Sequence, residues 1–200
     1  KMLVMIAGGP SHGPGAHEYR AGSLLLARCL ADVPDLEVEV IGGGWVDDAA
    51  ILMSADAVVM YTDGGARHPL LIDDRLETMG RLVARGVGFG LMHWALELPV
   101  GRGAPEVDAW LGGHYEDLVS CNPMWDARFE QLPAHPITHG VSPSQTHDEW
   151  YFNIRSGSDA LTNVAATRGG SRVTPILVAT PTDATRQGPY VWPHGPYPEI

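Results

Sequence analysis

Cysteine is scarce in this chain: Cys29 and Cys121 are the only two among 200 residues. One falls in a helical pattern and the other in an apparent loop, with no metal-ribbon or C-x-x-C spacing. A disulfide scaffold, a zinc ribbon and a dithiol redox pair are therefore excluded, and both read as packing residues. Basic residues are also few, 13 Lys and Arg against 24 Asp and Glu, for a net charge of -11. That balance excludes a nucleic-acid partner, which requires a basic footprint. No acidic run is long enough to form a disordered tail. Nor does any apolar run approach the roughly 18 residues that a membrane span needs, so no membrane partner is expected. The first apolar stretch is followed by Gly8-Gly9 rather than a small-residue cleavage site. A cytoplasmic location is expected, with a periplasmic or secreted one open if a signal peptide was removed ahead of Lys1.

What is present is an alternation of buried strands and amphipathic helices. Residues 3–7 (LVMIA), 57–61 (AVVMY) and 87–92 (VGFGLM) are apolar without alternation, the pattern of strands covered on both faces, and are expected as inner strands. Helical spacing runs from about Ala16 to Ala31 through Ala21, Leu25 and Cys29, with Leu26 and Leu30 beside them. It returns over residues 70–85 through Leu71, Leu76, Met79, Leu82 and Val83. Residues 36–41 (LEVEVI) alternate. This order predicts an α/β fold with a parallel sheet and helices on both faces. A chain of this length buries roughly 70% of its unfolded surface, enough for one domain over residues 1–200. Beyond residue 98, where Pro and Gly become frequent, the reading is loops and edge strands, with short strands at 149–152 and 176–179. The tail GPYVWPHGPYPEI reads as an extended surface segment that ends abruptly, so the chain is expected to be truncated at its C-terminus.

In an open α/β sheet, ligands bind beyond the carboxyl ends of the strands. Four imidazoles fall there. His12 and His17 follow the first strand, His68 follows the strand ending at Tyr61, and His93 closes the run 87–92. Gly13-Pro14-Gly15, between the first two, either lets backbone approach a ligand or makes an ordinary strand-to-helix turn; it is not a phosphate loop. Asp63, before Gly64-Gly65-Ala66-Arg67-His68, either orients an imidazole, binds a hydroxyl, or caps the next helix. His93 occupies the sharp strand-to-helix elbow where other enzymes hold a nucleophile. An imidazole there suits proton transfer or metal ligation, with Glu97 four residues on as a partner and Trp94 as a pocket floor or a core residue.

Taken together, HGPGAHEYRAG (12–22), ADAVVMYTDGGARHP (55–69), GLMHWALELP (90–99), WLGGHYED (110–117), NPMW (122–125) and DEWYFN (148–153) resemble the ThuA-like, or trehalose-utilisation, family. The resemblance runs from Leu3 to about Asn153. It implies a flavodoxin-like three-layer α/β sandwich with a mostly parallel sheet, as in class I glutamine amidotransferases. His93 stands where those enzymes have a cysteine, so their glutaminase chemistry does not carry over. The family's association with disaccharide and 3-keto-sugar catabolism implies a small sugar ligand. Trp45, Trp110, Tyr115, Trp125, Trp150 and Tyr151 lie in loop-rich or strand-edge stretches where aromatic faces suit sugar rings, although about half are expected only to pack.

Two functions follow. One is an enzyme acting on a 3-keto glycoside by removing the proton beside the ketone. His93 or Glu97 would be the base, and His12 and His17, directly or through a divalent metal such as zinc or manganese, would stabilise the enolate. Asp63, Arg67, His68, Trp94, Tyr115 and Glu149 would bind substrate. The other is a non-catalytic sugar-binding or scaffolding domain. Assembly into a homo-oligomer is compatible with either.

Overall fold

The computed structural model describes residues 1–156, 166–168 and 171–187. The tail from residue 188 therefore lies outside the described residues. The chain divides into two compact units, Lys1–Leu111 and Gly112–Ile200.

The first unit is a four-stranded, all-parallel sheet. β1 (Met2–Ala7), β2 (Glu37–Ile41), β3 (Ala57–Tyr61) and β4 (Gly88–Met92) stand in the order β2-β1-β3-β4. This is the flavodoxin-like order, with the chain reversing its direction of travel across the sheet after β2. Helices α1 (Tyr19–Cys29), α2 (Ala49–Ser54), α3 (Arg75–Ala84) and α4 (Ala104–Leu111) lie between or after the strands. On one face, Val4, Ile6, Val58 and Met60 pack with Leu52 of α2 and with Met79 and Leu82 of α3, forming a core of fully buried side chains. Phe89 of β4 is in register with Val58 and packs edge-on against Trp110 of α4, with ring centroids 5.7 Å apart. The other face carries α1, whose Tyr19 ring stands 4.9 Å from that of Tyr61. With helices on both faces, this unit is a flavodoxin-like three-layer α/β fold.

Two expectations change. β4 ends the sheet among the described residues, although its sequence suggests an inner strand. Apolar residues on both sides of a strand report helices above and below it. They do not report a neighbouring strand at its edge, because edge pairing uses backbone groups alone. The inner stripe of α1 also differs. Tyr19 and Ser23 are buried, with Leu26 and Leu30 half-buried, whereas Ala21, Leu25 and Cys29 are exposed. The run Leu24-Leu25-Leu26-Ala27 is apolar around the whole helix, so spacing alone does not select a face. Cys29 is accordingly a surface thiol, and only Cys121 is buried.

The second unit is built from short antiparallel pairs. β5 (Gly113–His114) pairs with β8 (Arg155–Ser156), β6 (Met124–Phe129) with β7 (Ser144–Glu149), and β9 (Ala166–Arg168) with β10 (Ser171–Val173); α5 spans Asp183–Gln187. β6 alternates, burying Trp125, Ala127 and Phe129 on one face with Trp150 packed against them. The strand expected over 149–152 lies mostly past the end of β7, and residues 176–179 are not a strand. Trp110, expected in a loop, is helical.

No helix among the described residues is long and apolar enough to cross a membrane.

Candidate functional site

Because β1, β3 and β4 are parallel, the segments that follow them emerge along one edge of the sheet. The first, Ser11 to Glu18, is shaped by its Gly-Pro-Gly. The Ala16 N–H donates to the Gly13 carbonyl at 3.1 Å, with Pro14 second and Gly15 third at φ 86°, the residue pattern of a type II turn. The Glu18 carboxylate accepts the Gly15 N–H at 2.9 Å and holds the turn to the start of α1. The result is a reversal that brings the rings of His12 and His17 to 4.0 Å. This is why two imidazoles bracket a stiff turn.

His93 meets them from the end of β4. It opens a single helical turn, His93–Leu96, directly after the strand and sits at φ 55°. His17 is also at positive φ, 51°. Left-handed backbone costs a non-glycine residue about 1–2 kcal/mol and gathers at functional sites. Here it turns two imidazoles toward each other, with ring centroids 4.7 Å apart. Their candidate ligand nitrogens lie within 4.8 Å. Trp94 forms a wall beside them, 5.1 Å from His12 and 5.5 Å from His17 between ring centroids. Its indole N–H donates to a Glu97 carboxylate oxygen at 2.7 Å.

Asp63 follows β3 and ties this group together. Its Oδ1 accepts from the Ser11 hydroxyl and, at 2.7 Å, from the Tyr19 hydroxyl. The Ser11 oxygen stands 2.8 Å from Nδ1 of His12, and the Tyr19 oxygen 3.1 Å from Nδ1 of His17. Tyr19 is buried, and desolvation first, then its bond to Asp63, raises its hydroxyl above the ordinary tyrosine range. It is a phenol and a donor at neutral pH. Arg67 reaches Oδ2 of Asp63 at 3.8 Å and lies 5.9 Å from the Trp94 ring centroid, but it is largely exposed, and such a pair contributes at most about 1 kcal/mol.

The sequence-predicted residues His12, His17, Asp63, Arg67, His93, Trp94 and Glu97 thus share one rim. Of the expected metal ligands, His17 has a candidate ligand nitrogen within 4.8 Å of one on His93, and the His12 ring lies 4.0 Å from that of His17 with its Nδ1 against Ser11. His68 does not join them. It is fully buried, its Nδ1 accepts the Leu70 N–H at 3.1 Å, and its Nε2 bonds the Ala95 carbonyl at 2.9 Å. Only the neutral Nε2–H tautomer satisfies both bonds, and neither nitrogen remains for a ligand. His68 therefore stitches the loop after β3 to the turn after β4. Tyr115 and Glu149 belong to the second unit, where Asn122 links them. Tyr115 donates to its carbonyl oxygen at 3.4 Å, and its amide donates to Glu149 at 2.6 Å. Trp45 packs against the sheet core with Arg75 5.3 Å from its ring centroid.

Sequence reasoning missed Ser11 and Tyr19. A hydroxyl immediately before His12 and another two residues after His17 were the available signals.

Burial pushes the His68 imidazole down from 6.5 to about 4, against a smaller opposing effect of its bond to Ala95. The folded ring binds its proton less tightly than the unfolded one. Its contribution to stability is therefore complete above the unfolded value and is lost as the pH falls toward the folded one. Between pH 7 and pH 5 we expect this residue to account for a loss of about 2 kcal/mol. Urea unfolding at the two pH values should show that much less pH dependence in His68→Asn; an unchanged slope would refute the assignment.

Compared with models of protein families, with curated proteins and with solved structures, the chain gives no match.

Proposed function

We propose that the rim of the first unit is the active site of an enzyme that acts on a 3-keto glycoside or a related keto sugar by removing the proton beside the ketone. The observation that carries this reading is the convergence of His12, His17 and His93 at the carboxyl edge of the sheet, two of them held at positive φ. The ThuA-like resemblance supplies the sugar class.

The donor set fits a divalent metal. Imidazole nitrogens suit zinc and, less selectively, manganese. Zinc–nitrogen bonds of about 2.0–2.1 Å in tetrahedral geometry require nitrogens roughly 3.4 Å apart, so the pair within 4.8 Å needs only a small approach. His17 and His93 would hold the ion, and two imidazoles leave positions for substrate. When bound, such an ion supplies a Lewis acid for the oxygen of the ketone.

The chain's own groups do the remaining work. Glu97 takes the proton on carbon 2, with the Trp94 indole N–H fixing the carboxylate's direction. The electron pair left behind forms the enolate and then either expels the substituent on carbon 1, whose oxygen leaves as an alcohol with the proton that Glu97 took up, or is reprotonated by Glu97. His12 offers a ring nitrogen to a sugar hydroxyl, and the face of Trp94 covers the ring. Arg67, at the outer side of Trp94, contributes a donor toward solvent.

A panel of 3-keto glycosides, assayed with and without chelator, tests the reading. Turnover is expected, and it should fall at least tenfold when chelator is present. Tight binding without turnover would mark a sugar-binding module, and neither binding nor turnover would remove the sugar assignment.

A further inference from the structure

We propose that Asp63 is a positioning residue that fixes His12 and His17 together in their Nδ1–H tautomers, acting through the Ser11 and Tyr19 hydroxyls. An ionised carboxylate only accepts hydrogen bonds. Each hydroxyl has one hydrogen, and both are directed at the same Oδ1 of Asp63. Each hydroxyl oxygen is then left as an acceptor toward the imidazole beside it. Ser11 stands 2.8 Å from Nδ1 of His12, and Tyr19 stands 3.1 Å from Nδ1 of His17. The hydrogen on each of those contacts must come from the ring. Both neutral imidazoles therefore carry their proton on Nδ1 and their lone pair on Nε2.

A free histidine in water favours the opposite tautomer, so the arrangement is imposed by the fold. It works as two relays from one oxygen, Asp63–Ser11–His12 and Asp63–Tyr19–His17. Arg67 stands 3.8 Å from the other carboxylate oxygen. An oxygen partner on the second ring nitrogen is the arrangement that orients metal-ligating and acid–base histidines. Neither hydroxyl was part of the functional reading, and that reading enters here only in saying what the Nε2 lone pairs are for.

Long-range proton–nitrogen NMR on histidine-labelled full-length protein, at a pH well above the imidazole range, reports each tautomer directly. Wild type is expected to show Nδ1–H for both His12 and His17. Ser11→Ala should shift His12 alone, Tyr19→Phe should shift His17 alone, and Asp63→Ala should shift both. Ser11 is exposed and Tyr19→Phe keeps the buried ring, so these two variants decide the matter even where Asp63→Ala does not fold. An Nε2–H signal for either ring in wild type, or a single variant that leaves its own ring unchanged, overturns the proposal. The expected tautomers in a protein that neither binds zinc nor turns over a keto sugar would uphold the positioning role and discard the proposed function.

Discussion

Gly64→Ala is expected to destabilise the protein by about 3 kcal/mol or to prevent folding, the upper range for a single methyl group. A Cβ at this position would lie 2.1 Å from the Trp94 carbonyl oxygen, 2.8 Å from Trp94 Cδ1 and 3.0 Å from Glu97 Cβ. The first of these atoms is backbone, and its segment has little freedom to retreat. The Gly65 N–H donates to the Glu97 carbonyl at 2.8 Å, and the His68 ring holds the Ala95 carbonyl at 2.9 Å. Moving the turn outward would break both bonds, each leaving a polar group without its partner, and would carry His93 away from His17. Gly9→Ala is the matched control, because nothing lies within 4 Å of its added carbon. Its effect should stay within about 0.5 kcal/mol. Urea unfolding compares the two; a Gly64→Ala protein as stable as the control would mean that the loop after β3 does not press against the turn after β4.

That contact shows where the sequence is legible. The apolar runs 57–61 and 87–92 mark β3 and β4 because a strand covered by helices on both sides tolerates no polar face. The ends of those runs then place Asp63 and His93 on one edge of the sheet. The elbow at His93 is readable from the abrupt change of GFGLM into HWALE. Which imidazoles face one another is not readable, since it depends on the positive φ of His17 and His93 and on a turn closed by Glu18. His68 has the same chemistry and a similar address, yet a fully buried place. Its bond to the Ala95 carbonyl connects segments 27 residues apart, a long-range pairing that no local pattern displays. β7 was missed for another reason. Its sequence SQTHDE has no apolar residue, and its strand conformation comes from backbone pairing with β6.

The second large effect concerns the imidazole pair. His93→Ala and His17→Ala are each expected to lower keto-sugar turnover by at least a thousandfold, since an interaction made to charge developing in the transition state contributes several kcal/mol. Loss of fold is separable from loss of chemistry at His93. Both His93→Ala and His93→Gly remove the ring, but glycine accepts φ 55° without strain. The glycine variant should therefore be more stable than the alanine variant by about 1 kcal/mol and equally inactive. If the two variants differ in activity, or if alanine is the more stable, the left-handed turn at the end of β4 is not what holds the imidazole in place.

Zinc titration of the metal-free, untagged protein, followed by thermal unfolding, tests most directly whether His17 and His93 form one site. A ligand bound only by the folded state, present at a hundred times its dissociation constant, stabilises by about 2.7 kcal/mol. Wild type should show a rise of that order with zinc in excess, growing by about 1.4 kcal/mol for each further tenfold of free zinc, and both His17→Ala and His93→Ala should lose it while His68→Asn keeps it. A wild-type midpoint that zinc leaves unmoved, or a rise that survives in His17→Ala and His93→Ala, would contradict a shared metal site.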